Sequence, residues 1–234
     1  MSMDSQEAAA RLATGRARTW SELVGSGWDS YWRLLHPAYR IRVIMEPVRW
    51  SDLRTAHASM DLATASWFDI SGVRLHTGKA GDGWDIEPEV GPRDGRGASR
   101  ALQKLMAEEP WSGIWVGQWI GYGDAADQQV AKADIVVNRD RSFAVHHFTW
   151  EMALEWLQQL EQKAGVPLPN IAWTDAGSWM ISSDVDLPSS VVGCTLRIGE
   201  TLRTEASLEC IEIEPDAPIR NCCGFRPARP GTAG

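Results

Sequence analysis

The chain has 234 residues, 44% of them apolar and 23% charged, with a formal net charge of −8 at pH 7. That balance predicts a folded globular chain, while the acidic excess excludes a nucleic-acid backbone or an anionic membrane surface as main partner, since clustered Lys and Arg hold both. No apolar run approaches the roughly 18–20 residues of a membrane span, and the first residues, MSMDSQEAAARLATGR, carry no apolar signal core, so a soluble cytoplasmic protein is expected.

Residues 1–18, Ala-rich and ending near Gly15, predict a short flexible N-terminal helix. The run WDSYWRLL (28–35) and the run IRVIME (41–46) predict two short strands joined by a turn at His36-Pro37. Ser51 then stands as N-cap of a short helix reaching about His57. The stretch TGKAGDGWDIEPEVGPRDGRG (77–97), dense in Gly, Pro and Asp, predicts a long loop. Loops of that length inside a domain are usually functional, and Trp84 is the residue expected to close over a neighbouring groove.

A helix from about Ala98 to Glu109 follows, with Ala98, Ala101, Leu102, Leu105 and Met106 on one face and Pro110 as its stop. SGIWVGQWIGYG (112–123) reads as a strand with Trp115 and Trp119 on the face opposite Ile114, Val116 and Ile120. ADIVVN (133–138) and SFAVHHFT (142–149) read as a hairpin turning at Arg139-Asp140. Thr149 is a natural N-cap for a helix over 150–164, whose stripe is Trp150, Ala153, Leu154, Leu157 and Leu160. The remainder predicts a strand (178–187), a helix (190–203) placing Val191, Cys194, Ile198 and Leu202 together, and a strand (207–214). From residue 220 the Pro/Arg-rich composition predicts a disordered tail. Mixed elements with hairpins make the fold class α+β: one domain over 19–219, with a mixed or mainly antiparallel sheet and flanking helices.

Thirteen tryptophans against four Phe and three Tyr are the compositional signature of the chain. Most such rings are expected in the core, with their indole N–H groups seeking partners there. Cys194 and Cys210 lie in apolar segments and read as small buried residues. Cys222 and Cys223 are adjacent, where a disulfide would be strained. With no C-x-x-C pair there is no structural zinc signature, and reduced thiols are expected.

The sharpest chemical pattern is at Trp179–Pro188. On an extended strand Ser182, Asp184 and Asp186 would share one face. Two such carboxylates could ligate a divalent cation or divide acid and base roles. His36, held extended by Pro37, and His146 are the candidate bases; His146 and His147 face opposite sides of their strand. His57 and His76 have no patterned acidic or Cys neighbours. No nucleophile elbow, H-E-x-x-H, P-loop or G-x-G-x-x-G is present.

YWRLLHPA (31–38), VRWSDL (48–53), WIGYGD (119–124) and WMISSDVDLPSSVVG (179–193) resemble segments of an uncharacterised actinobacterial protein family. The chain departs from that pattern at Cys194, where a second glycine is usual, and at Ile171-Ala172-Trp173, which is thinner in aromatics. The resemblance implies a cytoplasmic actinobacterial protein and carries no mechanism. A fainter likeness to SUKH-type immunity and scaffold domains, in element order and in acidic, Trp-rich character, is an analogy of fold.

Two functions follow as expectations. The first is a non-catalytic binding module, without cofactor, recognising a protein partner or a small ligand through Trp84, Trp115, Trp119 and Tyr122, because aromatic rings anchor interfaces. An immunity-like role is one form of it. The second is a metal-assisted hydrolase or transferase, with Asp184 and Asp186 as ligands of a divalent cation and His36 or His146 as base.

Overall fold

A computed structural model of the chain describes residues 17–41, 45–53, 61–71, 96–122, 134–138, 141–162 and 169–219. Trp84 and residues 77–95 of the expected 77–97 loop, the helix expected before residue 17 and the tail expected after 219 lie outside the described residues, while residues 96 and 97, expected in that loop, are helical.

The centre is an eight-stranded sheet in which every pairing is antiparallel. In chain order its strands are β1 (Ser30–Leu35), β4 (Ile114–Trp119), β5 (Asp134–Asn138), β6 (Arg141–Phe148), β7 (Ile171–Thr174), β8 (Trp179–Ser182), β9 (Ser189–Cys194) and β10 (Cys210–Glu212). They lie in the order β10-β1-β9-β8-β7-β4-β6-β5. β2 (Ala38–Ile41) and β3 (Met45–Val48) form a separate hairpin. The helices are α1 (Ser21–Val24), α2 (Trp50–Leu53), α3 (Trp67–Ser71), α4 (Arg96–Ala107), α5 (Trp150–Gln162) and α6 (Leu196–Thr204). The fold is α+β, with helices flanking an antiparallel sheet.

Side chains alternate across the strands, so the sheet separates two cores. On the helical face Trp32, Leu34, Ile114, Val116, Trp179, Ile181, Val192 and Cys194 pack with Ala101, Leu102 and Leu105 of α4, Ala153 and Leu157 of α5, and Ile198 and Leu202 of α6. On the opposite face Tyr31, Leu35, Val145, Ile171, Trp173, Met180 and Val191 pack with Trp20, α1, Trp50, Leu62, Ala65 and Trp67. β1, β7, β8 and β9 are buried along their whole length, as strands covered on both faces must be. α6 lies close over β1 because Gly199 has no side chain to strike Ser30 Oγ and the Trp32 indole.

The expected pairing of 28–35 with 41–46 is not formed. β1 lies instead between β9 and β10, with Trp32 opposite Val192 and Glu212, while 38–41 turns back on 45–48. Ser51 is inside α2, not its cap. The Glu209 carboxylate accepts from both Trp50 N and Ser51 N at 2.7 Å, taking the free amides that an N-cap side chain would satisfy. The helix expected over 190–203 is a strand as far as Cys194, and helix only from Leu196. Ile120 falls beyond β4, in a single 3₁₀ turn (Ile120–Tyr122). The α5 helix starts as expected, Met152 N donating to Thr149 Oγ1 at 3.4 Å. β7 went unexpected, its four residues being too few and too uniformly apolar to show alternation.

Arg33, on β1, is only 1% exposed. Its Nη1 donates to Leu62 O (2.9 Å) and Ala65 O (2.8 Å) and its Nε to Ser189 Oγ (3.2 Å), while its guanidinium carbon lies 4.8 Å from the Trp20 ring centroid and 5.3 Å from that of Trp50. A buried carbonyl stripped of its donor costs roughly 1–3 kcal/mol. Arg33→Ala is therefore expected to lower the unfolding free energy by about 3–5 kcal/mol in urea titration; a loss below about 1 kcal/mol would show that the guanidinium is not what holds residues 62–65 in place.

The free thiol of Cys194 is buried and that of Cys210 half-buried, and burial pushes them up to about 11 and about 12. An unfolded thiol ionises near 9.0 while the native ones keep their protons. Stability is then complete below that value and falls as pH rises through the native pKa values. In a chain carrying Cys210→Ser, Cys222→Ser and Cys223→Ser, an aromatic disulfide reagent at pH 8 should leave Cys194, 0% exposed, unlabelled until the protein is unfolded. Stoichiometric labelling of the native chain would contradict the burial.

Candidate functional site

The register of the sheet lines up one row on the face opposite the long helices: Tyr31, Gly193, Met180, Trp173, Trp115 and His147. The row runs from the core to the surface. Trp173 is fully buried, Trp115 is partly covered, and the His147 side chain is 44% exposed. Trp115 stacks nearly parallel on Trp173, centroids 5.9 Å apart, and meets the His147 ring at 4.5 Å.

Asp175, just past the end of β7, closes this corner. Its Oδ1 accepts from Trp115 Nε1 at 2.7 Å, and its carboxylate lies 3.0 and 3.2 Å from His147 Nε2. Asp175 N donates to Gly113 O at 2.9 Å, which fixes the carboxylate over the start of β4. Gly113 is required: a Cβ there would collide with both the Asp175 carboxylate and the His147 ring. The outcome is an imidazole oriented by a carboxylate through one ring nitrogen. Its Nδ1 makes no hydrogen bond among the described residues, and the side chain is 44% exposed.

Behind this corner Glu109, at the end of α4, is nearly buried. It accepts from Ser178 Oγ, and Arg197 of α6 bridges Glu108 (2.7 Å) and Glu109 (3.3 Å). Ser178 Oγ in turn lies 3.1 Å from Thr174 Oγ1. These bonds tie the helix ends to the same edge of the sheet.

The residues expected from sequence are dispersed around this frame. Trp115 is in the site and Trp119 is not. They share a face of β4 but stand four residues apart, about 13 Å along the strand. The Trp119 ring folds back over Gly121, and its backbone N–H donates to Asn170 Oδ1 at 2.8 Å. The backbone of Tyr122 closes the 3₁₀ turn; its side chain, like Trp84, lies outside what is described. His146 points to the helical side of β6 and stacks on Phe148, centroids 6.0 Å apart.

His36 is buried at the opposite end of the sheet. Its Nε2 lies 2.8 Å from Ser190 Oγ, which lies 2.5 Å from Ser183 Oγ, and its carbonyl accepts from Trp50 Nε1 at 2.8 Å. Asp184 and Asp186 are at that end too, but the strand-face expectation for them is overturned. β8 stops at Ser182, and both lie in the turn to β9, where Asp184 Oδ1 accepts from Asp186 N at 2.8 Å. Asp184 thus serves the turn as a local backbone acceptor. Among the described residues no group of three or more His, Cys, Asp or Glu stands where it could hold a metal ion.

Compared with known proteins, the chain matches no family model, no curated protein and no solved structure. Among the described residues no helix is long and apolar enough to cross a membrane.

His147 and Asp175 were missed as site residues because His147 carries no sequence mark separating it from His146, and Asp175 lies 28 residues further on. Loss of the carboxylate should be visible at the indole. In Asp175→Ala the Trp115 N–H loses its acceptor, so its hydrogen–deuterium exchange should accelerate at least about tenfold. Unchanged exchange would mean that packing, not the carboxylate, protects it.

Proposed function

We propose that this chain is a non-catalytic binding module that recognises a protein partner or a small ligand at the corner formed by Trp115, His147 and Asp175. The observation that carries the reading is the His147 ring: exposed, oriented from behind by Asp175, and presenting a free ring nitrogen beside a half-covered indole. Preorganisation of this kind lowers the entropy lost on binding. A ligand group that hydrogen-bonds to imidazole and lays an apolar part against the indole edge fits the corner. A cytoplasmic setting belongs to the same proposal, in keeping with the free thiols Cys194 and Cys210.

The test is a thermal-shift screen of metabolites and short peptides on the wild-type chain, repeated on His147→Ala, an exposed substitution that leaves the core intact. A ligand at about 100 times its Kd stabilises by roughly 2.7 kcal/mol. The expected result is at least one compound whose stabilisation disappears in His147→Ala and which is recovered chemically unchanged. Binding indifferent to His147, or turnover of the bound compound, would overturn the proposal.

A further inference from the structure

Asp175 opens the turn that joins β7 to β8. Thr174 ends β7 and β8 begins at Trp179; between them Gly177 N donates to Thr174 O at 2.9 Å, with Gly177 at φ +64°. A turn closed by a left-handed glycine is a common hairpin connection, and it sets the direction in which its first residue leaves the sheet. The Asp175 carboxylate is therefore only as well placed over Trp115 and His147 as this turn is fixed.

Backbone bonds fix part of it. Asp175 N donates to Gly113 O at 2.9 Å and Ala176 N to Ser112 Oγ at 3.3 Å, which ties the turn to the residues leading into β4. Ser178 O accepts from Thr195 N at 2.9 Å. The remaining tie is made by side chains at the base of the turn. Ser178 Oγ donates to the Glu109 carboxylate and lies 3.1 Å from Thr174 Oγ1, which accepts from Ser178 N at 3.4 Å. A serine hydroxyl has one proton to give. With that proton on Glu109, the Ser178 oxygen accepts from Thr174 Oγ1, and the chain Thr174–Ser178–Glu109 runs in one sense.

Glu109 is a costly group to keep there. Its side chain is 8% exposed, and Arg197 Nη2, at 3.3 Å, supplies the counter-charge. An apolar side chain would fill such a place at less cost in solvation. It could not accept from Ser178. What the buried carboxylate adds is a fixed direction for the two hydroxyls from which the turn springs.

We propose that Ser178 and Glu109 are positioning residues of the binding corner: their bond sets the turn so that the Asp175 carboxylate meets Trp115 Nε1 and His147 Nε2 together. The inference rests on the reading of that corner as the binding site and names the residues that preorganise it. Neither is hydrogen-bonded to Trp115 or His147 among the described residues, so both act through Asp175.

The reporter is the Trp115 indole N–H, which donates to Asp175 Oδ1 at 2.7 Å, followed by hydrogen–deuterium exchange in the full chain without ligand. Ser178→Ala and Glu109→Ala should each speed its exchange at least about threefold, while Glu109→Gln, which keeps an acceptor for Ser178, should leave it within about twofold. The Trp50 indole N–H, bonded to His36 O at the opposite end of the sheet, should stay within about twofold throughout. Ser178→Ala added to Asp175→Ala should change nothing more, because the carboxylate it positions is already gone. Unchanged Trp115 exchange in Ser178→Ala, equal acceleration at Trp50, or full additivity in the double variant would overturn the inference. Should Glu109→Ala fail to fold, Ser178→Ala and the double variant decide. A chain that shows this exchange pattern and binds no compound would end the binding-module reading and keep the positioning; a compound held through His147, with unchanged exchange in Ser178→Ala, would do the reverse.

Discussion

Arg33 is a cation placed where water does not reach, and one face of the sheet is arranged by the need to satisfy it. A guanidinium taken out of water loses several kcal/mol of solvation unless its donors are matched. Here three backbone carbonyls from 62–65, the Ser189 hydroxyl and the faces of Trp20 and Trp50 supply the match. A segment without regular structure is thereby pinned against a β-strand, and Trp50 and Trp67 are brought to 5.3 Å from each other. Lys could not replace Arg33, since a single ammonium cannot present a planar fork to several acceptors while lying between two rings.

The two ends of the sheet are chemically different. At the end near β8–β9, hydroxyls, imidazole and amides are turned inward, in the chain His36–Ser190–Ser183 and in Asn170 Nδ2 donating to Ser183 O at 3.2 Å. Buried networks of this kind specify packing when every member is satisfied. At the other end the polar groups sit at or near the surface: His147 and Asp175 at one corner, the Arg197 bridge beside Trp111. Their backbone supports are the ends of strands and helices.

Much of the frame was legible in the sequence. The stripes of α4 and α5, the Thr149 cap, the β5–β6 hairpin and the placement of Trp115 on the face opposite Ile114 and Val116 follow from periodicity and turn chemistry, which are local. What was not legible is what depends on distant partners. Ser189–Cys194 read as helix because Val191, Cys194, Ile198 and Leu202 fall at helical spacing, whereas a strand buried on both faces has no alternation to display. Ser51 read as a cap because nothing nearby announces the Glu209 carboxylate, 158 residues away. The Asp184–Asp186 pattern was a turn for the same reason: its strand ended two residues before the carboxylates began. In the candidate site only Trp115 was foreseen, since Asp175 and Gly113 acquire meaning once β4, β6 and β7 lie side by side.

The position of β1 has a temporal consequence. It is an early strand of the chain, buried on both faces, yet its neighbours β9 and β10 come last, Ser30 and Cys194 being 164 residues apart. At synthesis rates of about 5–20 residues per second, β1 waits on the order of ten to thirty seconds for a partner. Through that interval the nascent chain exposes an unpaired, water-averse edge, and closure of so distant a contact is slow in itself. The seam between β1 and β9 is therefore where the birth of this protein is most open to aggregation and to rescue by chaperones.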